Sequence, residues 1–184
     1  NSALCVRQGN TVLEMKTFNS MDLMQLCGAI KNKYDNETVM SKPQEVLVDV
    51  IGLGSGVVDR LAEQNLPVRG VNVAEAPATK KNFLNLRAEL WFAIKDWLAQ
   101  RDCRLPYDDE LVAELVAPIY KYTSTGKIKL ESKEEMKKRG IKSPDRADAL
   151  ALTMASAAAS FSGSQTFMGY NFKKPLKSRI LRVG

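Results

Sequence analysis

The chain has 184 residues, enough for one domain with a full core. With 45% hydrophobic and 26% charged residues it has the composition of an ordinary globular protein, and no apolar run approaches the ~20 residues that span a bilayer. The opening, Asn1 to Val6, has no basic stretch leading into a long apolar one, so no signal peptide is read there, and the missing initiator Met suggests a fragment. Histidine is absent, and the three cysteines Cys5, Cys27 and Cys103 are scattered. The usual structural zinc sites are therefore excluded, as are serine-protease and papain-like chemistry, which lose their base. Any metal would rest on oxygen ligands, which favours Mg²⁺ or Mn²⁺. The thiols read as small buried side chains. The net charge is +6, and from Phe161 onward the basic residues Lys173, Lys174, Lys177, Arg179 and Arg182 meet no acid. A basic tail on a nearly neutral body favours a polyanionic partner, although such tails are often merely solvating.

In chain order, Ala3–Gln8 and Thr11–Phe18 are β-rich runs around Gly9-Asn10, a hairpin signal. Met21–Tyr34 spaces Leu23, Leu26, Cys27 and Ile30 at helical intervals. Glu45–Ile51 is a continuous apolar strand broken by one acid, Asp49. A glycine-rich segment, Gly52 to Gly56, leads from it into a short helix through about Gln64. Val68–Val73 reads as a further strand, so strand, helix and strand imply a parallel pair. Asn82–Gln100 is a strong helix with Leu86, Leu90, Ala93, Ile94 and Trp97 on one face, and Asp108–Val116 a shorter one. Ala117–Tyr122 and Lys127–Leu130 flank Thr123-Ser124-Thr125-Gly126 as a hairpin, and Lys133–Arg139 is a charged helix. Ser143-Pro144 reads as an N-cap with proline at the first helical position, opening a helix to about Ser160. Residues 163–184 read as a basic tail, extended or mobile, outside a single domain spanning 1–162.

Three carboxylates stand out. Asp145 and Asp148, three apart, share one helix face with Cβ atoms ~5–6 Å apart. Acids in a first turn also complement the helix dipole, which is the ordinary explanation for both. Asp49 lies in a strand that coverage on both faces would bury, and an unpaired buried carboxylate is costly. It must be paired, protonated or coordinated to a cation, and Arg60, Arg69 and Arg146 are the candidate ion-pair partners. If the two segments converge, they form an oxygen-only site for hard divalent cations, and two such ions ~3.5–4 Å apart suit phosphodiester hydrolysis.

The glycine loop has a rival reading. Gly52-Leu53-Gly54-Ser55-Gly56 between a strand and a helix, with Glu75 about twenty residues on, imitates a dinucleotide-binding unit. The third glycine is one residue early, however, and Asp49 falls in a strand which that fingerprint keeps apolar. No Gly-x-x-x-x-Gly-Lys-[Ser/Thr] motif occurs.

In combination, these segments resemble the nuclease domain of tailed-phage large terminases. Val48 to Asp59 is similar to the central strand and loop of that family. Asn82 to Trp91 resembles the following helix, and Gly126 to Lys133 with Arg139 to Leu150 resembles its C-terminal motif. The resemblance covers most of residues 1–160. It implies an α/β, RNase H-like fold, with a mixed central sheet flanked by helices and an additional β-hairpin. It implies Asp49, Asp145 and Asp148 as catalytic metal ligands for Mg²⁺ or Mn²⁺ in a two-ion site. Lys127, Lys129, Lys133, Lys173 and Lys174 are candidate DNA contacts, with exposed, solvated lysines as the plain alternative. The family's first strand carries a further Asp, expected upstream of Ser2-Ala3-Leu4 and not present here. The activity implied is cutting of concatemeric double-stranded DNA during genome packaging in the host cytoplasm, at the procapsid portal. The implied partners are DNA, the portal protein, the small terminase subunit and an ATPase domain of the same full-length chain; no membrane is implied. A junction resolvase or transposase-like nuclease of the same fold, or a non-catalytic DNA or portal docking domain, stays open.

Overall fold

The computed structural model describes residues 2–39, 41–78 and 80–155, and the backbone of 179–183. Strands β1 (Ser2–Gln8) and β2 (Thr11–Phe18) form the antiparallel hairpin expected around Gly9-Asn10. Helix α1 (Leu23–Asp35) follows, opened by a capping box in which Asp22 and Gln25 satisfy each other's backbone N–H groups. Strand β3 (Glu45–Asp49), helix α2 (Gly54–Glu63) and strand β4 (Val68–Val71) then make the parallel unit read from the sequence.

The sheet is covered on both faces, and the two-residue period of a strand divides its side chains between two cores. Leu4, Val6, Val46 and Val48 pack with Ile30 of α1 and Leu61 of α2. Ala3, Cys5 and Leu47 pack on the opposite side with helices α3 (Leu86–Ala99), α4 (Asp109–Val116) and α6 (Asp145–Leu152). Asp49 is two residues from Leu47 and so emerges on the α3 and α6 side. A mixed sheet between helices with an added hairpin is the architecture that the resemblance implied.

Three sequence expectations change. Helix α3 starts at Leu86 rather than Asn82, with Asn85 as N-cap accepting the Ala88 N–H. The preceding residues are held extended against the added hairpin, where Asn82 accepts from Ile128 N–H and Leu84 donates to Ile128 O, both at 2.8 Å. Helix α6 starts at Asp145 with Pro144 as N-cap, because the Ser143 hydroxyl bonds the Asp145 carboxylate at 2.6 Å instead of a backbone N–H. It ends at Leu152, where Arg7 takes both the Thr153 carbonyl (2.9 Å) and hydroxyl (2.8 Å); the expected extension from 156 to Ser160 lies outside the described residues. The third change concerns the basic tail. Arg179–Val183 is strand β7, lying between β1 and β3 in a sheet ordered β2-β1-β7-β3-β4. It is antiparallel to β1 and parallel to β3, so this part of 163–184 belongs to the sheet. The backbone groups of β1 and β3 that face this slot need partners, and β7 provides them.

The added hairpin pairs β5 (Tyr120–Tyr122) with β6 (Ile128–Leu130) and leads into helix α5 (Lys133–Lys138). Ser132 and Glu135 form a capping box at its start. The Glu135 carboxylate accepts the Ser132 N–H at 2.8 Å and faces Lys121 and Lys129 at 3.1 and 3.4 Å. That backbone bond and the two lysines lower its pKa from 4.5 to about 2. A folded-state pKa below the unfolded one stabilises the fold above the unfolded value and stops doing so as pH falls through the folded one. Glu135→Gln is therefore expected to lower the melting temperature at pH 7, with the difference shrinking below about pH 4.5 and vanishing near pH 2. Thermal melts of the two proteins across that range check it.

Candidate functional site

Asp49 ends β3, Asp148 sits in the first turn of α6, and Lys133 is the first residue of α5; together with Arg87 of α3 they line one cleft of about 550 Å³. The carboxylate of Asp49 accepts the Ile51 N–H at 3.1 Å, its one hydrogen bond among the described residues. None of the arginines considered as its partner pairs with it. Arg60 is bound to Glu63 at 2.8 Å, Arg69 to Glu45 at 2.6 Å, and Arg146 to the acids of α4. Burial raises the pKa of Asp49, and the nearby Asp148 charge adds to this, while the Ile51 N–H, Lys133 and Arg87 oppose it.

Asp148 is gripped from three sides. Its Oδ1 accepts from Trp91 Nε1 at 2.8 Å and from Arg87 Nε at 3.2 Å, with Arg87 Nη2 at 3.1 Å. Arg87 is oriented in turn by donating to the Glu131 carbonyl at 2.8 Å. The Oδ2 atom is buried, and the Lys133 ammonium stands 3.0 Å from it. Lys133 also lies 3.7 Å from Asp145. Loss of water works to lower the Lys133 pKa, but the charges of Asp148 and Asp145 outweigh it and the net shift is upward.

The structure thus brings together Asp49, Asp148 and Lys133, with Lys129 on the same cleft wall. Asp145 is turned toward Ser143 and linked to the others through Lys133. Among the described residues no three carboxylates gather as one metal-binding group, so the expected convergence of Asp49, Asp145 and Asp148 is incomplete. The hydroxyl of Ser143, two residues before Asp145, draws its carboxylate aside. Lys127 is exposed on the hairpin; Lys173 and Lys174 lie outside the described residues. Arg87 and Trp91 were not read as site residues. They are four apart on one face of α3, but a half-buried arginine and a buried indole aimed at an acid 61 and 57 residues away leave no local trace.

The donor set fits a hard cation. Two oxygen-bearing side chains face one cleft, one keeps a buried oxygen, and that oxygen already attracts an ammonium group. The glycine loop serves the same cleft. A Cβ on Gly54 would stand 1.7 Å from the Asp49 carbonyl oxygen, so the start of α2 abuts the end of β3 only because residue 54 has no side chain. That close approach accounts for the glycine without a nucleotide.

Comparison with solved structures decides the fold. The nuclease domain of the large terminase subunit gp2 of bacterial virus Sf6, in a lysine mutant with manganese and β-thujaplicinol, superposes with a TM-score of 0.69 at 23% identity, covering 83% of this chain and 80% of that one. The chain has the fold of a large-terminase nuclease domain. The Sf6 domain without that mutation gives a TM-score of 0.60 at 24% identity, with 82% and 80% of the two chains covered. The large terminase nuclease of thermophilic phage G20c with bound magnesium gives 0.61 at 15% identity over 83% and 74%. The shared fold is RNase H-like, as expected. No family model and no curated sequence matches the chain.

Gly54→Ala is expected to destabilise the fold by about 3 kcal/mol, since overpacking here meets backbone. Gly28→Ala, in open space on the exposed face of α1, is expected to stabilise it by about 0.5–1 kcal/mol. Urea unfolding of both variants checks the contrast.

Proposed function

We propose that the chain is the metal-dependent endonuclease domain of a phage large terminase, hydrolysing phosphodiester bonds of concatemeric double-stranded DNA during genome packaging. The observation that carries this reading is Asp49 facing Asp148 across one cleft, in a fold shared with terminase nuclease domains solved with manganese or magnesium. Asp49 and Asp148 would hold Mg²⁺ or Mn²⁺, and Asp145 would complete a two-ion site by turning its carboxylate from Ser143 toward the cleft. Divalent cations bound there supply Lewis acidity and activate water for attack on phosphorus.

The chain's own residues prepare that site. Trp91 and Arg87 hold one oxygen of Asp148 and leave the other toward the cleft. The Lys133 ammonium would be free to meet a phosphate once the acids are engaged by cations. Lys127 and Lys129 on the hairpin would add positive charge along a DNA backbone, and Lys173 and Lys174 are further candidate contacts by their charge alone. Contacts of that kind position the duplex without reading its sequence and make binding strongly dependent on salt. The portal protein, the small terminase subunit and an ATPase domain of the same full-length protein are the partners this role requires, in the host cytoplasm. Among the described residues no helix is long and apolar enough to cross a membrane.

The test is plasmid cleavage with Mn²⁺ or Mg²⁺ and an EDTA control, using this chain and a form extended upstream of Asn1. Metal-dependent nicking and linearisation are expected, abolished in both Asp49→Asn and Asp148→Asn. Cleavage that survives both substitutions, or none by the extended protein, rejects the reading.

A further inference from the structure

Helix α6 opens without a local cap. Pro144 has no side-chain acceptor, and the Ser143 hydroxyl is engaged by Asp145. The first N–H groups of a helix need acceptors when they are shielded from water. Ala147 is fully buried, and its N–H is met from another helix: Glu114 of α4 accepts it through Oε2 at 2.9 Å. The other oxygen of Glu114 lies 4.0 Å from Arg146 Nη1. Arg146 also pairs with Asp108, Nε to Oδ2 at 3.3 Å, and with Glu110. These contacts fall on the two residues between Asp145 and Asp148.

We infer that Glu114 is a positioning residue of the metal site, a cap supplied across the α4–α6 interface that sets where the first turn of α6 stands relative to β3. The inference rests on the reading of Asp49 and Asp148 as metal ligands. The other two acids that pair with Arg146 do not serve in its place. Asp108 caps its own helix by accepting the Leu111 N–H at 3.0 Å, and Glu110 is 71% exposed and bonds only the arginine side chain. Glu114 alone among them bonds the backbone of α6. It fixes that turn in depth and rotation while Trp91 and Arg87 orient the Asp148 carboxylate itself. A cation between α6 and the sheet requires both.

The experiment is isothermal titration of the purified chain with Mn²⁺, beside thermal melts of every variant. Glu114→Ala is expected to weaken Mn²⁺ binding by about 10-fold or more, the usual effect of removing a group that supports a ligand. Glu114→Gln, whose amide oxygen still accepts the Ala147 N–H, is expected to stay close to wild type. Glu110→Ala, which takes a charge from the same arginine but no bond from the α6 backbone, is expected to match wild type. Should Glu114→Ala not fold, Glu114→Asp replaces it, keeping the charge but withdrawing the acceptor from reach, and weakened binding is again expected. Wild-type affinity in the acceptor-deficient variant, whatever its melting temperature, overturns the inference. If neither this chain nor the form extended upstream of Asn1 binds Mn²⁺, the metal-site reading falls and the inference with it.

Discussion

A carboxylate at the end of a strand whose neighbours are buried on both faces needs compensation. Asp49 follows Val46, Leu47 and Val48, which pack into two different cores. Its position is set by those apolar residues, since a shift of one residue along the strand would turn the acid toward the other core. The remaining parts of the site answer this placement. Gly54 lets α2 begin against the Asp49 carbonyl, and the Ile51 N–H turns back to its carboxylate. Lys133 and Arg87 bring positive charge from two further elements. The Ile51 N–H and the two distant charges reduce the cost of the acid without removing it, because burial is the largest influence and its pKa stays raised.

The charges around Asp148 divide the work by oxygen atom. Oδ1 is engaged by groups that have little freedom, an indole and a guanidinium whose own orientation is set by the Glu131 carbonyl. Oδ2 meets only a lysine ammonium on a flexible stem, which is 45% exposed and shared with Asp145. Rigid donors orient a ligand, whereas a mobile ammonium can leave when a stronger cation arrives. The asymmetry therefore separates the structural half of the carboxylate from the half available for chemistry. The other buried acids show the contrast. Glu131 is closed by a bidentate Arg139 at 2.7 Å and by the Ile119 N–H. Glu89 caps the loop before α3 by accepting the N–H groups of Ala78 and Lys80. Both are satisfied by several donors, and Glu131 is so even though it lines a smaller cleft beside the added hairpin; neither burial nor open space alone marks a site, whereas an incompletely satisfied acid in a cleft does.

Much of this was legible in the sequence, and the reason differs by residue. The hairpin, the β3–α2–β4 unit and Asp49 follow from patterns contained within a few residues: a turn signal, a glycine-rich strand exit and one acid in an apolar run. Asp148 follows from helical spacing. What escaped depends on partners far along the chain. The start of α3 was displaced because Asn82 and Leu84 pair with Ile128, a tertiary claim on residues with good helical spacing. The Ser143 cap failed because a neighbouring carboxylate competed for the same hydroxyl. Arg87, Trp91 and Glu114 take their roles from α6, and no spacing within α3 or α4 announces it.

The last strand shows the same limit and ties the sheet to the site. Its five residues, Arg179 to Val183, read as basic when counted by charge, because the nearby lysines dominate the composition. Counted by pairing, the backbone belongs in the middle of the sheet, with Val183 opposite Val48 on β3 and opposite Leu4 on β1. Val48 is the residue before Asp49. The register that fixes β7 therefore runs to the edge of the cleft, and through β1 to the hairpin at the other side of the sheet. A strand that joins an antiparallel hairpin to a parallel pair is what makes the sheet mixed. The position of Asp49 thus depends on hydrogen bonds made by residues more than a hundred positions away, as well as on the apolar strand that carries it.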